Sequence, residues 1–100
     1  MDSDAFFSMV VQDIFTIAKR GTVVTGKVET GTLKVGDQIT IKGQHAEKTT
    51  VVAGIEGFGK VLDRAVQGDA IGILLKDVAR QDVERGDRII SGSSDFTWNP

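Results

Sequence analysis

RGTVVTGKVETG, residues 20–31, is the stretch that indicates the fold most clearly. Val24 and Val28 lie on one side of an extended chain, whereas Thr25 and Lys27 lie on the other side. One side is therefore apolar and the other polar, which is typical of a strand that packs one face against a core. The stretch predicts a half-buried β-strand.

Short runs of similar character lie on both sides of this strand, and glycines separate them. Residues 57–69 hold three glycines and are expected to form a long connection. We predict further strands within 6–17 and at 38–42, 49–56, 70–75 and 87–91, with one helical turn between 79 and 85. Many short strands with glycine-containing turns predict an all-β fold, a small closed antiparallel β-barrel of roughly six to seven strands.

The strand at 49–56 has apolar side chains at several successive positions. Simple alternation places Val51, Ala53 and Ile55 on one face of this strand and Val52 on the opposite face. We therefore expect Val52 to be separated from the other three side chains.

The chain of 100 residues is long enough for one core, and we predict a barrel domain at 6–91 between two tails, 1–5 and 92–100. The second tail begins with a linker-like run but carries Phe96 and Trp98. These aromatic side chains either fold back onto the barrel or contact an apolar groove of a partner chain.

Charge gives little support for binding nucleic acid through bulk electrostatics. The chain has 12 Lys and Arg against 14 Asp and Glu, a net charge of −2, whereas nucleic-acid binders usually carry a basic excess. Lys19, Arg20 and Lys27 lie close together in the sequence and form a basic group, which is either a solvated strand edge or a contact for phosphate.

The sequence predicts a cytoplasmic protein. It has no cysteine, so it has neither disulfides nor a thiolate metal site. Its first residues are acidic where a signal peptide would be basic, and no apolar run approaches the roughly 18 residues that span a membrane. We expect no membrane partner.

Enzyme motifs are weak. GIEGFGK, residues 54–60, matches the spacing of a phosphate-binding loop, but Val61 follows where a Mg²⁺-binding hydroxyl is needed, and the chain lacks the helical patterns of a parallel sheet. His45 is the only histidine, so a metal site has no recognisable ligand set. We predict no catalytic residue, no metal and no cofactor.

A family resemblance adds to this interpretation. The stretch at 20–31, together with DIFTI at 13–17, LKVGD at 33–37, GIE at 54–56 and DVERG at 82–86, is similar to the second domain of elongation factor Tu-like translational GTPases. The resemblance covers about residues 6–91. It implies an antiparallel β-barrel that packs against a GTPase domain and holds the aminoacyl end of tRNA, without hydrolysing GTP itself.

The resemblance also implies a tRNA-end site formed by Asp13, Phe15, Thr25 and Glu56. An exposed Phe15 could stack on a terminal adenine, and the carboxylates and the hydroxyl could bond to base edges or a ribose. The alternative for Phe15 is an ordinary position in the barrel core.

Several positions differ from the family pattern around this site. Gln12 stands in place of an acid, Gly57 and Gly59 replace a larger apolar residue and a basic one, Ala70 replaces an asparagine, and Lys19 replaces a small residue. The lost cation and amide remove hydrogen bonds, whereas Lys19 adds attraction for phosphate.

Our hypothesis from the sequence is a non-catalytic translation-factor-like barrel that docks RNA or protein. The expected partners are aminoacyl-tRNA or ribosomal RNA, or else a protein or a GTPase domain. Two alternatives stay open: a domain excised from a complete translational GTPase, or a self-associating structural barrel that has lost tRNA binding. The expected state is a monomer or a weak homo-oligomer.

Overall fold

The computed structural model describes residues 6–44 and 46–91, and within them the chain forms ten β-strands and a one-turn 3₁₀ helix at Arg80–Asp82. Predictions for Phe96, Trp98, His45 and the two tails lie outside the described residues. The strands are β1 (Ser8–Val10), β2 (Asp13–Ile17), β3 (Gly21–Thr30), β4 (Thr32–Lys34), β5 (Gln38–Lys42), β6 (Glu47–Gly57), β7 (Lys60–Leu62), β8 (Arg64–Val66), β9 (Ala70–Leu75) and β10 (Arg88–Ser91).

Six strands close into a barrel. Their order is β1-β10-β5-β6-β9-β3, and β1 also pairs with β3, which completes the ring. Every pair is antiparallel. The prediction of a small closed antiparallel β-barrel is therefore confirmed.

Two strands lie outside this ring and extend one side of it. β2 pairs with β3, and β7 pairs with β6, so that β2-β3-β9-β6-β7 forms a continuous five-stranded sheet. β4 and β8 form a separate two-stranded sheet. Leu33 of β4 and Ala65 of β8 are buried in the main hydrophobic core, so this small sheet packs onto the barrel.

The alternation predicted for β3 is present in the structure. Val24 and Val28 are buried and Lys27 is exposed. Gly26 is required because a Cβ there would lie 2.4 Å from the carbonyl oxygen of Val10 and 2.9 Å from Cγ of Met9. The missing side chain lets β1 approach β3 closely enough to close the barrel.

The alternation predicted for 49–56 is wrong. Val52 and Ile55 are both buried, whereas Val51 and Ala53 are exposed. The reason is a β-bulge: Val52 pairs with Leu75 and Gly54 pairs with Leu74, so β6 uses one residue more than β9. An extra residue moves the following side chains to the opposite face.

The long connection predicted at 57–69 is also wrong, since this range contains β7 and β8. Gly57 pairs with Lys60, and the two residues between them, Phe58 and Gly59, have φ of 56° and 75°. Positive φ at both central positions is typical of a tight hairpin turn. Phenylalanine seldom adopts positive φ, so a tight turn at Phe58 is not expected from its residue type.

Three turns have the same structure. Each has glycine with positive φ followed by aspartate, and the aspartate Oδ2 accepts a hydrogen bond from the backbone N–H three residues earlier. The pairs are Asp37 with Lys34 N–H at 2.8 Å, Asp69 with Val66 N–H at 2.9 Å and Asp87 with Glu84 N–H at 2.8 Å.

Candidate functional site

The outer face of the five-stranded sheet carries two rows of aligned residues. In the first row Asp13 pairs with Thr25, Thr25 with Gly72, and Gly72 with Glu56. One residue farther along each strand is a parallel row of buried side chains: Ile14, Val24, Ile73 and Ile55. Because alternate residues of a strand face the same side, the first row faces outward, away from the core.

The second outward row contains Phe15, which pairs with Val23, and Val23 pairs with Leu74. Residues from both rows border a groove of about 560 Å³. The groove is lined by Phe15, Ile17, Val23, Thr25, Glu56, Gly57, Gly59, Lys60, Val61 and Gly72. The structure thus brings Phe15, Thr25 and Glu56 together, although they come from β2, β3 and β6.

Phe15 is 55% exposed, so it is not a core residue. It occupies the outward position of β2, and the buried residue of that strand is Ile14. The aromatic ring is therefore accessible to a ligand in the groove.

Glu56 is exposed, and its carboxylate forms no ion pair or hydrogen bond with the described part of the chain. It lies beside Gly72 on one side and Val61 on the other. An unpaired carboxylate next to apolar and glycine surface can accept hydrogen bonds from hydroxyl or amine groups of a ligand.

Asp13 is placed differently from the other three site residues. Its Oδ1 lies 3.2 Å from Nη2 of Arg85, and it does not line the groove. Both side chains are more than half exposed, and such ion pairs contribute at most about 1 kcal/mol. Sequence reasoning missed Arg85 because no local pattern links it to a strand so far away in the chain.

The three predicted phosphate contacts separate in the structure. Arg20 lines a second depression of about 140 Å³ that shares Ile17, Val23 and Glu56 with the groove. Lys19 lies in the turn before β3 with φ of 67°, and Lys27 is exposed farther along β3. Neither lysine lines the groove.

Lys60 and Val61 line the groove, and sequence reasoning had not placed them there. Val61 is 77% exposed and pairs with Glu56 across the β6–β7 hairpin. The hairpin also excludes a phosphate-binding loop at 54–60, because that motif needs a helix after its glycines.

Within residues 6–44 and 46–91, no three acidic or histidine side chains are grouped closely enough to hold a metal ion. No helix in the same ranges is long and apolar enough to cross a membrane.

The family model for elongation factor Tu domain 2 matches residues 21–90. The chain belongs to this family. Elongation factor Tu domain 2 is a non-catalytic β-barrel, and membership places the chain among translation-factor-like modules that interact with the translation machinery in general. β1 and β2 precede the matched range, so Asp13 and Phe15 lie outside it, and the pairing of β2 with β3 joins them to the barrel.

Proposed function

We propose that the barrel is a non-catalytic docking module whose groove holds the aminoacyl end of a tRNA. The observation that carries this proposal is the exposed ring of Phe15 on the same groove as the unpaired carboxylate of Glu56. Family membership supports a role in translation but leaves the ligand of this groove to be tested.

The chemistry of the groove fits a terminal nucleotide. Stacking of a base on an aromatic side chain contributes about 1–3 kcal/mol, and Phe15 offers such a surface. Glu56 can accept a hydrogen bond from a ribose 2′-hydroxyl, the group that distinguishes RNA from DNA. The groove volume of about 560 Å³ is of the size that accommodates small ligands.

Positive charge near the groove supports an RNA ligand locally, although the chain is acidic overall. Arg20 borders the adjoining depression and forms no ion pair within the described residues. Lys19 precedes it in the chain. These cations are suited to the phosphates next to the terminal nucleotide.

The test is a titration of the protein against aminoacylated and uncharged tRNA at two salt concentrations. We expect Phe15→Ala and Glu56→Ala each to lower the affinity for aminoacylated tRNA about 5- to 150-fold, because each removes one contact of about 1–3 kcal/mol. The matched control is Phe6→Ala, since Phe6 is 72% exposed but does not line the groove.

Two results would contradict the proposal. The first is no binding by a barrel that is folded at the concentration used. The second is equal loss of binding in Phe6→Ala and Phe15→Ala, which would mean that the groove is not the contact surface. Either result would favour a protein partner for this groove.

A further inference from the structure

Two positively charged side chains lie directly opposite each other on the small sheet of β4 and β8. Lys34 pairs with Arg64 in the antiparallel register. Both are exposed, and each is adjacent in its strand to a fully buried residue, Leu33 or Ala65. Opposite residues of an antiparallel pair have Cβ atoms only about 4.5–5.5 Å apart, so the two charged side chains extend from neighbouring backbone positions.

Asp37 and Asp63, the acidic residues nearest to this pair in the chain, form no ion pair with it. Neither Lys34 nor Arg64 forms an ion pair with a carboxylate of residues 6–44 or 46–91. Asp37 is close in the chain, but its Oδ2 accepts a hydrogen bond from the backbone N–H of Lys34 at 2.8 Å. Like charges directly opposite destabilise a sheet, so the stability of the fold does not account for this arrangement.

The other outward-facing residues of β4 and β8 are uncharged. The other exposed pair of the small sheet is Thr32 with Val66. No residue of β4 or β8 lines the groove or the depression next to it. The face is therefore a separate surface with two cations and no carboxylate from its own strands.

We propose that Lys34 and Arg64 together bind phosphate groups of an RNA backbone, as a second contact apart from the groove. A guanidinium can form two parallel hydrogen bonds with one phosphate, and an ammonium attracts a neighbouring phosphate as a compact charge. A bound polyanion removes the repulsion that the free protein carries. The choice of RNA among polyanions rests on the function proposed above.

The test measures how binding of aminoacylated tRNA depends on salt. Each phosphate contact contributes about 0.7–0.9 to the slope of log affinity against log salt concentration. We expect the double variant Lys34→Gln with Arg64→Gln to reduce that slope by about 1.4–1.8. The control Lys76→Gln with Arg80→Gln removes two other exposed cations that lie outside the small sheet, and it should keep the slope of the unaltered protein.

The groove and the cation pair give different signatures. Phe15→Ala should lower the affinity at every salt concentration and leave the slope unchanged, because stacking releases no counterions. The double variant should also unfold at the same temperature as the unaltered protein or at a higher one, since it removes a repulsion. A lower unfolding temperature would overturn the argument that the pair is uncompensated.

Other outcomes separate this inference from the proposed function. If tRNA binds and Phe15→Ala weakens it, but the double variant keeps the full slope, the cation pair does not contact RNA and only this inference fails. If the slope is kept while binding of a polyglutamate peptide is lost, the pair serves an acidic protein instead. If the unaltered protein binds no tRNA, both proposals fail.

Discussion

Gly26 is a residue on which closure of the barrel depends directly. A Cβ at this position would lie 2.4 Å from the carbonyl oxygen of Val10, which is backbone and cannot rotate away. We expect Gly26→Ala to lower the free energy of unfolding by about 1–3 kcal/mol, as inserted core atoms usually do. Urea denaturation followed by circular dichroism measures this change.

The control for Gly26 is Gly54→Ala. Gly54 is also a strand glycine, but the nearest atom to its Cβ would be Cβ of Leu74 at an ordinary 3.7 Å. The free energy of unfolding of Gly54→Ala should differ from that of the unaltered protein by no more than about 0.5–1 kcal/mol. It can be higher, because alanine restricts the conformations of the unfolded chain more than glycine does. Equal losses in the two variants would show that close approach to β1 is not the cause.

The individual site residues show what a sequence can and cannot locate. Phe15, Thr25 and Glu56 are site residues that the family resemblance implies, and strand register places them on one groove. Val61 was missed because it lies opposite Glu56 only after the chain reverses at Phe58. Lateral neighbours in a sheet depend on register, which a single sequence specifies poorly where turn signals are absent.

At the scale of elements, the three glycine–aspartate turns hold the strands in register. Asp37 and Asp87 each accept a backbone N–H bond at 2.8 Å that closes a turn before β5 or β10. We expect Asp37→Ala and Asp87→Ala each to lower the free energy of unfolding by about 1 kcal/mol. Asp63→Ala is the control, since the structure assigns its side chain no such bond. A comparable loss for Asp63→Ala would contradict this account of the turns.

A polar bridge also connects β3 with β10 across β1. Nη1 of Arg88 lies 2.7 Å from Oε1 of Glu29, and Ser8 Oγ donates to the same oxygen at 3.2 Å. The hydrogen bond from Arg88, followed by that from Ser8, lowers the pKa of Glu29 from its usual 4.5. Because the pKa is lower in the folded state, this bridge contributes stability above pH 4.5 and loses it as the pH falls through the folded-state pKa.

The pH behaviour of Glu29 gives a direct test of that bridge. We expect Arg88→Gln to raise the pKa of Glu29 towards 4.5, as followed by NMR titration of its side-chain carboxyl group. Arg85→Gln is the matched control because Arg85 pairs with Asp13 and not with Glu29. An unchanged pKa of Glu29 in Arg88→Gln would contradict the assigned cause.

The strands also show where the alternation of apolar and polar residues fails to predict which side chains are buried. The regular alternation of Val24, Lys27 and Val28 in β3 was predicted because nothing interrupts it. In β6 the bulge at Val52–Gly54 reverses the faces, and the only local signal for it in residues 49–56 is Gly54, since this run contains no proline. A β-bulge bends its strand and increases the local twist, and a closed barrel needs tilted, twisted strands. The position of a bulge therefore depends on the assembled sheet and not on one strand alone.

On the scale of the whole molecule, the barrel depends on strands from opposite ends of the chain. β1 fills the gap between β10 and β3, with Ser8 opposite Ile90 and Met9 opposite Val28. The family match starts only at residue 21, yet the ring is not closed without β1. Closure and the groove therefore both depend on residues 8–17, which supply β1 and β2.

This topology predicts the order of folding events. The β2–β3 hairpin joins neighbouring segments, whereas β1–β10 pairing must bring together distant ones, and such non-local pairing is slow.

Met9 and Val24 are both fully buried, the first in β1 and the second in β3. We expect Met9→Ala mainly to speed unfolding, with a φ-value below about 0.3, and Val24→Ala to slow folding, with a φ-value of about 0.5 or more. Stopped-flow circular dichroism in urea measures both rates. The reverse order of φ-values would mean that the barrel closes through β1 before the hairpin forms.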